Sequence, residues 1–417
     1  MAYPEFYTLP SSPKYKCDDR FSLHPEGDEV EDGNGQVPFW PFLQKIFILP
    51  AITSLGAELF FEKIWPLLVT VALEMPKLHP NGQLPVLGQG QNQSLRFSRR
   101  QTACLVVHQF LRTLSNPSWR ENDGTHDFGI WYSSEQRNCD KGWNPNAVRA
   151  YLQALLSYFK EGACKDSWGM DTSRGGWAVE YTLHSLQTAY YIKLASEDHP
   201  LTQLKVEDSS RYDTSFRSLG LPSCQPVVIS ANKIIGFGQS GTQEDVHVGI
   251  SPEACPIVLV TPPLGEAEVL RVRGAEAMVN VVGKGRDIVL DLVERAGLPD
   301  LIHENMEREI NKAYTAFDGY FEVTEIRTGL WGCGAFGGGP EIKVLLLWLA
   351  ASFAQVGLIV VCDRKLWGFA RRLEDIVALV RKRNLGTLEL RRILENAPKD
   401  LTRGQCWDRL RKEVDKS

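Results

Sequence analysis

At 417 residues with 43% apolar side chains, the chain exceeds the usual single-domain size and has an ordinary globular composition. A net charge of −5 and a pI near 6.0 exclude a broad electrostatic grip on a polyanion, so an anionic ligand must be met locally by backbone amides and a few basic residues. Nine scattered cysteines, with no CxxC and no His pair at ligand spacing, read as reduced thiols of an intracellular protein, which argues against a disulfide framework or a zinc site.

The first five residues have no basic or apolar leader character, so no secretory signal is expected. Residues 1–36 are rich in Pro, Asp, Glu and Gly and are expected to be loosely ordered at their start. Val37-Pro38-Phe39-Trp40-Pro41 reads as a packing anchor. From about residue 43 to 159 the periodicity is helical. Ser98 with Gln101 forms a capping-box pattern ahead of Ala103, Val107, Phe110, Leu111 and Leu114. Asn144-Pro145 opens a second helix with Val148, Tyr151, Leu152, Leu155 and Phe159 as its stripe and Gly162 as its stop. These stripes are core positions, and this half reads as a helical platform without chemistry.

After about residue 165 the character changes. Short apolar runs at 177–179, 227–229, 257–260 and 278–282 read as strands alternating with helices, the clearest spanning 301–317 with Ile302, Met306, Ile310, Ala313 and Phe317 on one face. That alternation argues for an α/β layered sheet. The apolar run 344–362 carries only Ser352 and Gln355 as polar side chains. Gly357 and the β-branched residues after it favour a buried helix from 342 to about 355, a stop at Gly357 and a central strand at 358–361, over a membrane span. Residues 372–395 read as one or two amphipathic helices and the charged C-terminus as an exposed tail.

Two glycine-rich stretches carry the candidate chemistry. In the first, Val227-Val228-Ile229 leads into Gly236-Phe237-Gly238-Gln239-Ser240-Gly241 and then Gln243-Glu244-Asp245. A strand feeding such a loop brings backbone N–H groups close to a phosphate. Two adjacent carboxylates raise one another's proton affinity, so one can hold a proton near neutral pH and give it to a leaving group. Taken singly, the glycines mean a turn and the acidic pair a solvated surface. In the second, residues 327–339 read RTGLWGCGAFGGG before a helix starting near Glu341. A glycine loop opening onto a helix N-terminus is an anion site, though it is neither a Walker A loop nor a spaced GxGxxG fingerprint.

Asn311-Lys312-Ala313-Tyr314, Thr328-Gly329 and Trp331-Gly332-Cys333-Gly334-Ala335-Phe336-Gly337-Gly338 resemble the poly(ADP-ribose) glycohydrolase family. Ala231-Asn232-Lys233, Gln243-Glu244-Asp245 and Ile250-Ser251-Pro252-Glu253 follow that family's order upstream. The residues at 37–41 and 67–73 look like its helical accessory region. The resemblance implies an α/β fold: a macrodomain-like mixed sheet between helices at 171–417, preceded by an all-helical accessory domain at 37–170 and a flexible segment at 1–36. It implies a glycosidase that cleaves ribose–ribose O-glycosidic bonds of poly(ADP-ribose) to release ADP-ribose, without cofactor or metal. By position, Glu244 holds the ribose and Asp245 is the general acid and then the base for water. Asn232, Gly236, Phe237, Gly238 and Gln243 would shape the first binding loop, and Gly332, Gly334, Ala335, Phe336 and Gly337 the second, with Phe336 on the diphosphate side. Glu207 falls in the adenine-edge segment. The implied partners are poly(ADP-ribose), ADP-ribose and poly(ADP-ribosyl)ated proteins in the nucleus or cytoplasm, with no direct nucleic acid and no membrane.

The chain also departs from the family pattern. Phe237 interrupts the glycine triplet, only four residues separate that triplet from Gln243, and Asp245 stands where the family has Glu. Leu330 replaces an Asn beside the ribose, residues 270–278 contain no stacking Tyr, and the strand end at 360–363 lacks an aromatic. A misplacement of about 1 Å can cost ~10²-fold in rate, so a catalytically lapsed ADP-ribose reader is the alternative expectation, with an interaction scaffold on a decayed macrodomain behind it.

Overall fold

Ser98 begins the best-defined helix, Arg99–Leu111. Its hydroxyl accepts from the Gln101 amide at 3.2 Å while the Gln101 side chain accepts from the Ser98 amide at 2.9 Å, a reciprocal box that satisfies two otherwise orphaned donors. The computed structural model containing it describes residues 3–12, 57–120, 126–132, 144–165, 168–169, 178–208, 227–229, 231–279, 299–318, 324–333, 338–362, 366–398 and 403–416. These divide into two units. The first comprises Met1–Leu183, Ala231–Leu264 and Leu270–Gly285, and the second His184–Ser230, Gly265–Val269 and Arg286–Ser417. The aromatic–proline anchor at 37–41 lies outside the described residues.

In the first unit, helices Trp65–Leu73, Arg99–Leu111 and Pro145–Lys165 share one apolar core. Asn144 caps the long helix by accepting from the amides of Asn146 and Ala147 at 3.1 and 3.2 Å, and Val148, Tyr151, Leu152, Leu155 and Phe159 are buried as the spacing requires. Gly162 does not stop this helix, which continues to Lys165. A Cβ there would lie 2.4 Å from the Trp168 ring, so the glycine admits an indole. Strands also interrupt the stretch expected to be all helix. With strands numbered in chain order, β1 (Phe6–Thr8) pairs antiparallel with β2 (Gln83–Pro85), and β3 (Gln93–Ser98) pairs antiparallel with β4 (Ala178–Ser185). Leu95 and Phe97 are buried between exposed Ser94, Arg96 and Ser98, a period of two inside a helical neighbourhood. Tyr7 and Leu9 are buried, and the Tyr7 hydroxyl donates to Ser115 O at 2.7 Å, so the start of the described chain is packed, contrary to expectation. Residues 257–260 form a helical turn where a strand was expected. All four are buried, and a fully buried tetrapeptide has no period by which to tell helix from strand. Met278 and Val279 lie in irregular chain, and residues 280–282 of that run are outside the described residues.

The second unit is built on a four-stranded sheet. After β5 (Leu204–Asp208), β6 (Val227–Val228), β7 (Glu268–Arg273, beside β4) and β8 (Glu325–Thr328) comes β9 (Gly357–Cys362). The sheet order is β5-β9-β8-β6, and its three described pairings are parallel. Parallel pairs require crossovers, supplied among others by helices His303–Phe317 and Pro340–Phe353. Central β9 is Val- and Ile-rich and buried on both faces. Met306, Ile310, Ala313 and Phe317 are buried, whereas Ile302 sits outside the helix as its cap, 41% exposed. The turn after Phe353 is made by Gln355 (φ 57°). Gly357 instead opens β9, where a Cβ would come 3.2 Å from Thr324 O. No described helix is long and apolar enough to cross a membrane. The C-terminal residues form a helix, Arg403–Lys416, with Cys406, Trp407, Leu410 and Val414 buried. Its apolar stripe is narrow, and the surrounding charges gave it the look of a tail. Helices and a parallel sheet make the fold α/β.

Candidate active site

Thr242 sets the first site. It caps the helix Gln243–Gly249 in extended conformation (φ −62°, ψ 160°), and its Oγ1 accepts from the Asp245 amide at 3.3 Å. Gln243, Glu244 and Asp245 therefore occupy the first turn, where free amides and the helix dipole favour negative charge. The glycine loop before them belongs to the first unit and is gripped by its carbonyls. Trp131 Nε1 donates to Gly238 O at 2.9 Å, Tyr151 Oη to Ser240 O at 2.6 Å, and the Asn144 amide to Gln239 O at 2.9 Å. The buried Arg120 guanidinium donates to Ile235 O, and Gln239 Nε2 to Ile130 O. Phe237 is buried against Phe128 and Trp131, ring centroids 5.3 and 5.2 Å away, so its side chain anchors the loop and leaves only its backbone to a ligand. Carbonyls drawn onto the platform turn neighbouring amides the other way.

Those amides meet the acidic pair. The Asn232 amide donates to Glu244 Oε2 at 2.7 Å and the Gly236 amide to Oε1 at 2.9 Å. Asp245 receives the amides of Gly238 and Ser240, and its Oδ2 accepts the hydroxyls of Ser240 and, at 2.8 Å, Thr242. A Cβ on Gly238 would stand 3.0 Å from Asp245 Oδ1, so only glycine lets the carboxyl lie against the loop. Burial pushes the Glu244 carboxyl up to about 7. The two amides and Arg120 oppose the rise, and Asp245 adds to it. Burial also raises Asp245, against its hydroxyl and amide donors. The Tyr151 phenol is raised by burial and by Asp245. The site holds two adjacent, half-buried carboxyl groups whose proton affinity burial raises above the ordinary carboxylate range, Glu244 to about 7. The glycines expected to face a phosphate, Gly236 and Gly238, give their amides to the carboxyl groups of Glu244 and Asp245.

Glu253, at the end of the upstream motif, is a buried ion-pair partner of Arg99 at 2.5 Å. In the second unit, Glu207 is the penultimate residue of β5, opposite Val361, with Arg327 Nε 3.5 Å away. Gly332 has φ 70° and accepts from the Gly338 amide at 2.9 Å. Gly334, Ala335, Phe336 and Gly337 lie outside the described residues. The helix start that follows is already occupied by an anion of the chain itself: Asp300 Oδ2 accepts from the Gly339 amide at 2.6 Å, while Lys343 contacts Asp300 at 3.2 Å and Glu309 at 2.7 Å. Asn232, Gly236, Phe237, Gly238, Gln243, Glu244 and Asp245 thus share one loop and helix, with Glu207 and Gly332 in the other unit. Arg120, Trp131, Ser240 and Thr242 were missed from the sequence, and Tyr151 was read only as core. Of these, Thr242-x-x-Asp245 alone carries a local signal, the capping pattern. Ser240 lies within the loop, and Arg120, Trp131 and Tyr151 act on it from more than eighty residues away.

A parallel sheet with crossover helices makes the second unit α/β in class, and the glycine loop beside the acidic pair is the first unit's candidate active site. Comparison with known families agrees. Residues 194–296 and 286–366 match the poly(ADP-ribose) glycohydrolase model of macrodomain fold, and 53–172 match that family's helical domain. The chain belongs to the poly(ADP-ribose) glycohydrolase family, and so to the enzymes that hydrolyse the glycosidic bonds of poly(ADP-ribose). It is 20% identical over 377 residues, 70% of each chain, to a protein named probable poly(ADP-ribose) glycohydrolase 2 of Arabidopsis thaliana. It is 24% identical over 228 residues to poly(ADP-ribose) glycohydrolase 2 of Caenorhabditis elegans, covering 44% of this chain and 47% of that one.

Proposed function

We propose that this member hydrolyses ribose–ribose O-glycosidic bonds of poly(ADP-ribose) with Asp245 as general acid and Glu244 as the group that orients the ribose. The observation that carries the assignment is the kind of donor each carboxyl meets. Both Glu244 oxygens accept from backbone N–H groups, which can only donate, so a proton on Glu244 forfeits a hydrogen bond. Asp245 Oδ2 faces two hydroxyls, which donate to the carboxylate and can turn to accept from the acid. Asp245 can therefore take up and release a proton on Oδ2 without stranding either hydroxyl, while the Gly238 and Ser240 amides favour its carboxylate form. In cleavage its proton passes to the leaving ribose oxygen as the C–O bond breaks. Water then adds to the oxocarbenium-like carbon and returns a proton to the carboxylate.

The test is release of ADP-ribose from poly(ADP-ribosyl)ated protein, the substrate class this reading implies. Asp245→Asn is expected to lower turnover by ~10²-fold or more with ADP-ribose binding retained, and the wild-type rate to fall toward alkaline pH as the pair loses its proton. Full activity in Asp245→Asn removes that residue from the mechanism. A second reading, a reader that binds ADP-ribose without cleaving it, draws support from the Gly236 and Gly238 amides being committed to carboxylates and from Asp in place of Glu. It is favoured if calorimetry shows binding while no product forms.

A further inference from the structure

We infer that Ser240 and Thr242 are positioning residues for Asp245, a hydroxyl pair that fixes its carboxyl in a single orientation against the glycine loop. The inference rests on the general-acid reading of Asp245. Both hydroxyls converge on the same oxygen, Oδ2. They are themselves coupled, since the Thr242 amide donates to Ser240 Oγ at 3.3 Å and the Asp245 amide to Thr242 Oγ1 at 3.3 Å. Ser240 is in turn held through its carbonyl by Tyr151 at 2.6 Å. The clamp therefore runs from the platform helix Pro145–Lys165 through the loop backbone to one carboxyl oxygen, and Oδ1 is left on the side of Gly238.

Two features of this chain make such a clamp necessary. The acid is an aspartate, one methylene shorter than the family's glutamate, so its reach depends on where the backbone and the carboxyl plane are held. The loop between the glycines and Gln243 is short, which brings Ser240 and Thr242 within bonding distance of residue 245. Neither hydroxyl is needed for the helix as such beyond the single bond from Thr242 to the Asp245 amide, and Ser240 makes no cap at all. The titratable groups around Asp245 are Glu244 and His247 on its own helix and Tyr151 from the platform, with Arg120 beyond Glu244.

Hydroxyl donors favour the charged carboxylate, so losing them raises the proton affinity of the acid. The experiment compares Ser240→Ala, Thr242→Val, the double variant and Thr242→Ser with wild type and Asp245→Asn, reading kcat and KM from pH 5 to 9 together with Tm. In the double variant kcat is expected to fall ~10- to 100-fold, as for a misplacement of about 1 Å, with KM changed less than threefold and the alkaline limb of the profile moved to higher pH. Thr242→Ser restores both rate and profile. A lower Tm with wild-type kcat and an unmoved alkaline limb overturns the inference and leaves Thr242 a helix cap. Activity retained in Asp245→Asn, or no turnover by wild type, overturns the general-acid reading itself. An inactive Asp245→Asn beside a fully active double variant overturns the clamp alone.

Discussion

The two glycine-rich loops look alike in sequence and are held in opposite ways. The loop at 236–242 is gripped from outside. Side chains of the helical platform bond its carbonyls, and its amides turn to Glu244 and Asp245. The described end of the second loop, at Gly338 and Gly339, is held from within. A buried carboxylate, Asp300, takes the helix-start amide and is itself paired with Lys343. In the first case platform donors are spent on the loop's carbonyls while burial raises both carboxyl groups, and in the second a carboxylate is spent on the backbone beside a lysine. A glycine-rich composition provides close backbone approach. Which polar atoms that backbone then faces decides whether the loop offers an acid or only a fold.

If one carboxylate holds the second loop, Asp300→Ala should have the largest structural effect. It strands the Gly339 amide and leaves Lys343 with Glu309 alone, at a cost of about 3 kcal/mol in urea unfolding. An unchanged midpoint would break the comparison by showing that the loop needs no internal anchor.

The first loop should show its tension as a pH effect. The folded-state value of Glu244, about 7, lies above its ordinary 4.5, so the folded form binds the proton more tightly. The stability this contributes is full below about pH 4.5 and is lost as pH rises through about 7. Relative to Glu244→Gln, the wild type should therefore lose on the order of 2 kcal/mol between pH 5 and pH 8. Parallel curves would mean that the carboxyl ionises freely in water. The smallest effect belongs to single platform donors. Tyr151→Phe removes one bond, to Ser240 O, and should cost about 1 kcal/mol of stability and roughly tenfold in kcat. Loss of stability with kcat untouched would separate the platform from the chemistry.

Much of this was legible from the chain. Ser98 and Gln101 announced their helix, the 148–159 stripe its buried face, and the run of β-branched residues after Gly357 its central strand, because local hydrogen bonding and burial impose their own periods. The adjacent carboxylates and the loop before them were legible as a combination. The strands at Gln83–Pro85 and Gln93–Ser98 were too short to stand out against helical neighbours, and the 257–260 run had no polar residue to mark a period. The C-terminal helix hid a narrow stripe among charges.

What the sequence determined by itself was the set of short-range choices: caps, stripes, the acidic pair at a helix start, and the motifs that place the chain in its family. The tertiary structure alone decided which atoms the pair would face. Arg120, Trp131 and Tyr151 reach the loop across more than eighty residues, and Asp300 reaches Gly339 across 39. No local pattern encodes such contacts, because they depend on where a packed core delivers each side chain. Proton affinity follows the same rule: it is set by burial and by the donors that folding brings, so neighbours in sequence such as Glu244 and Asp245 acquire different partners.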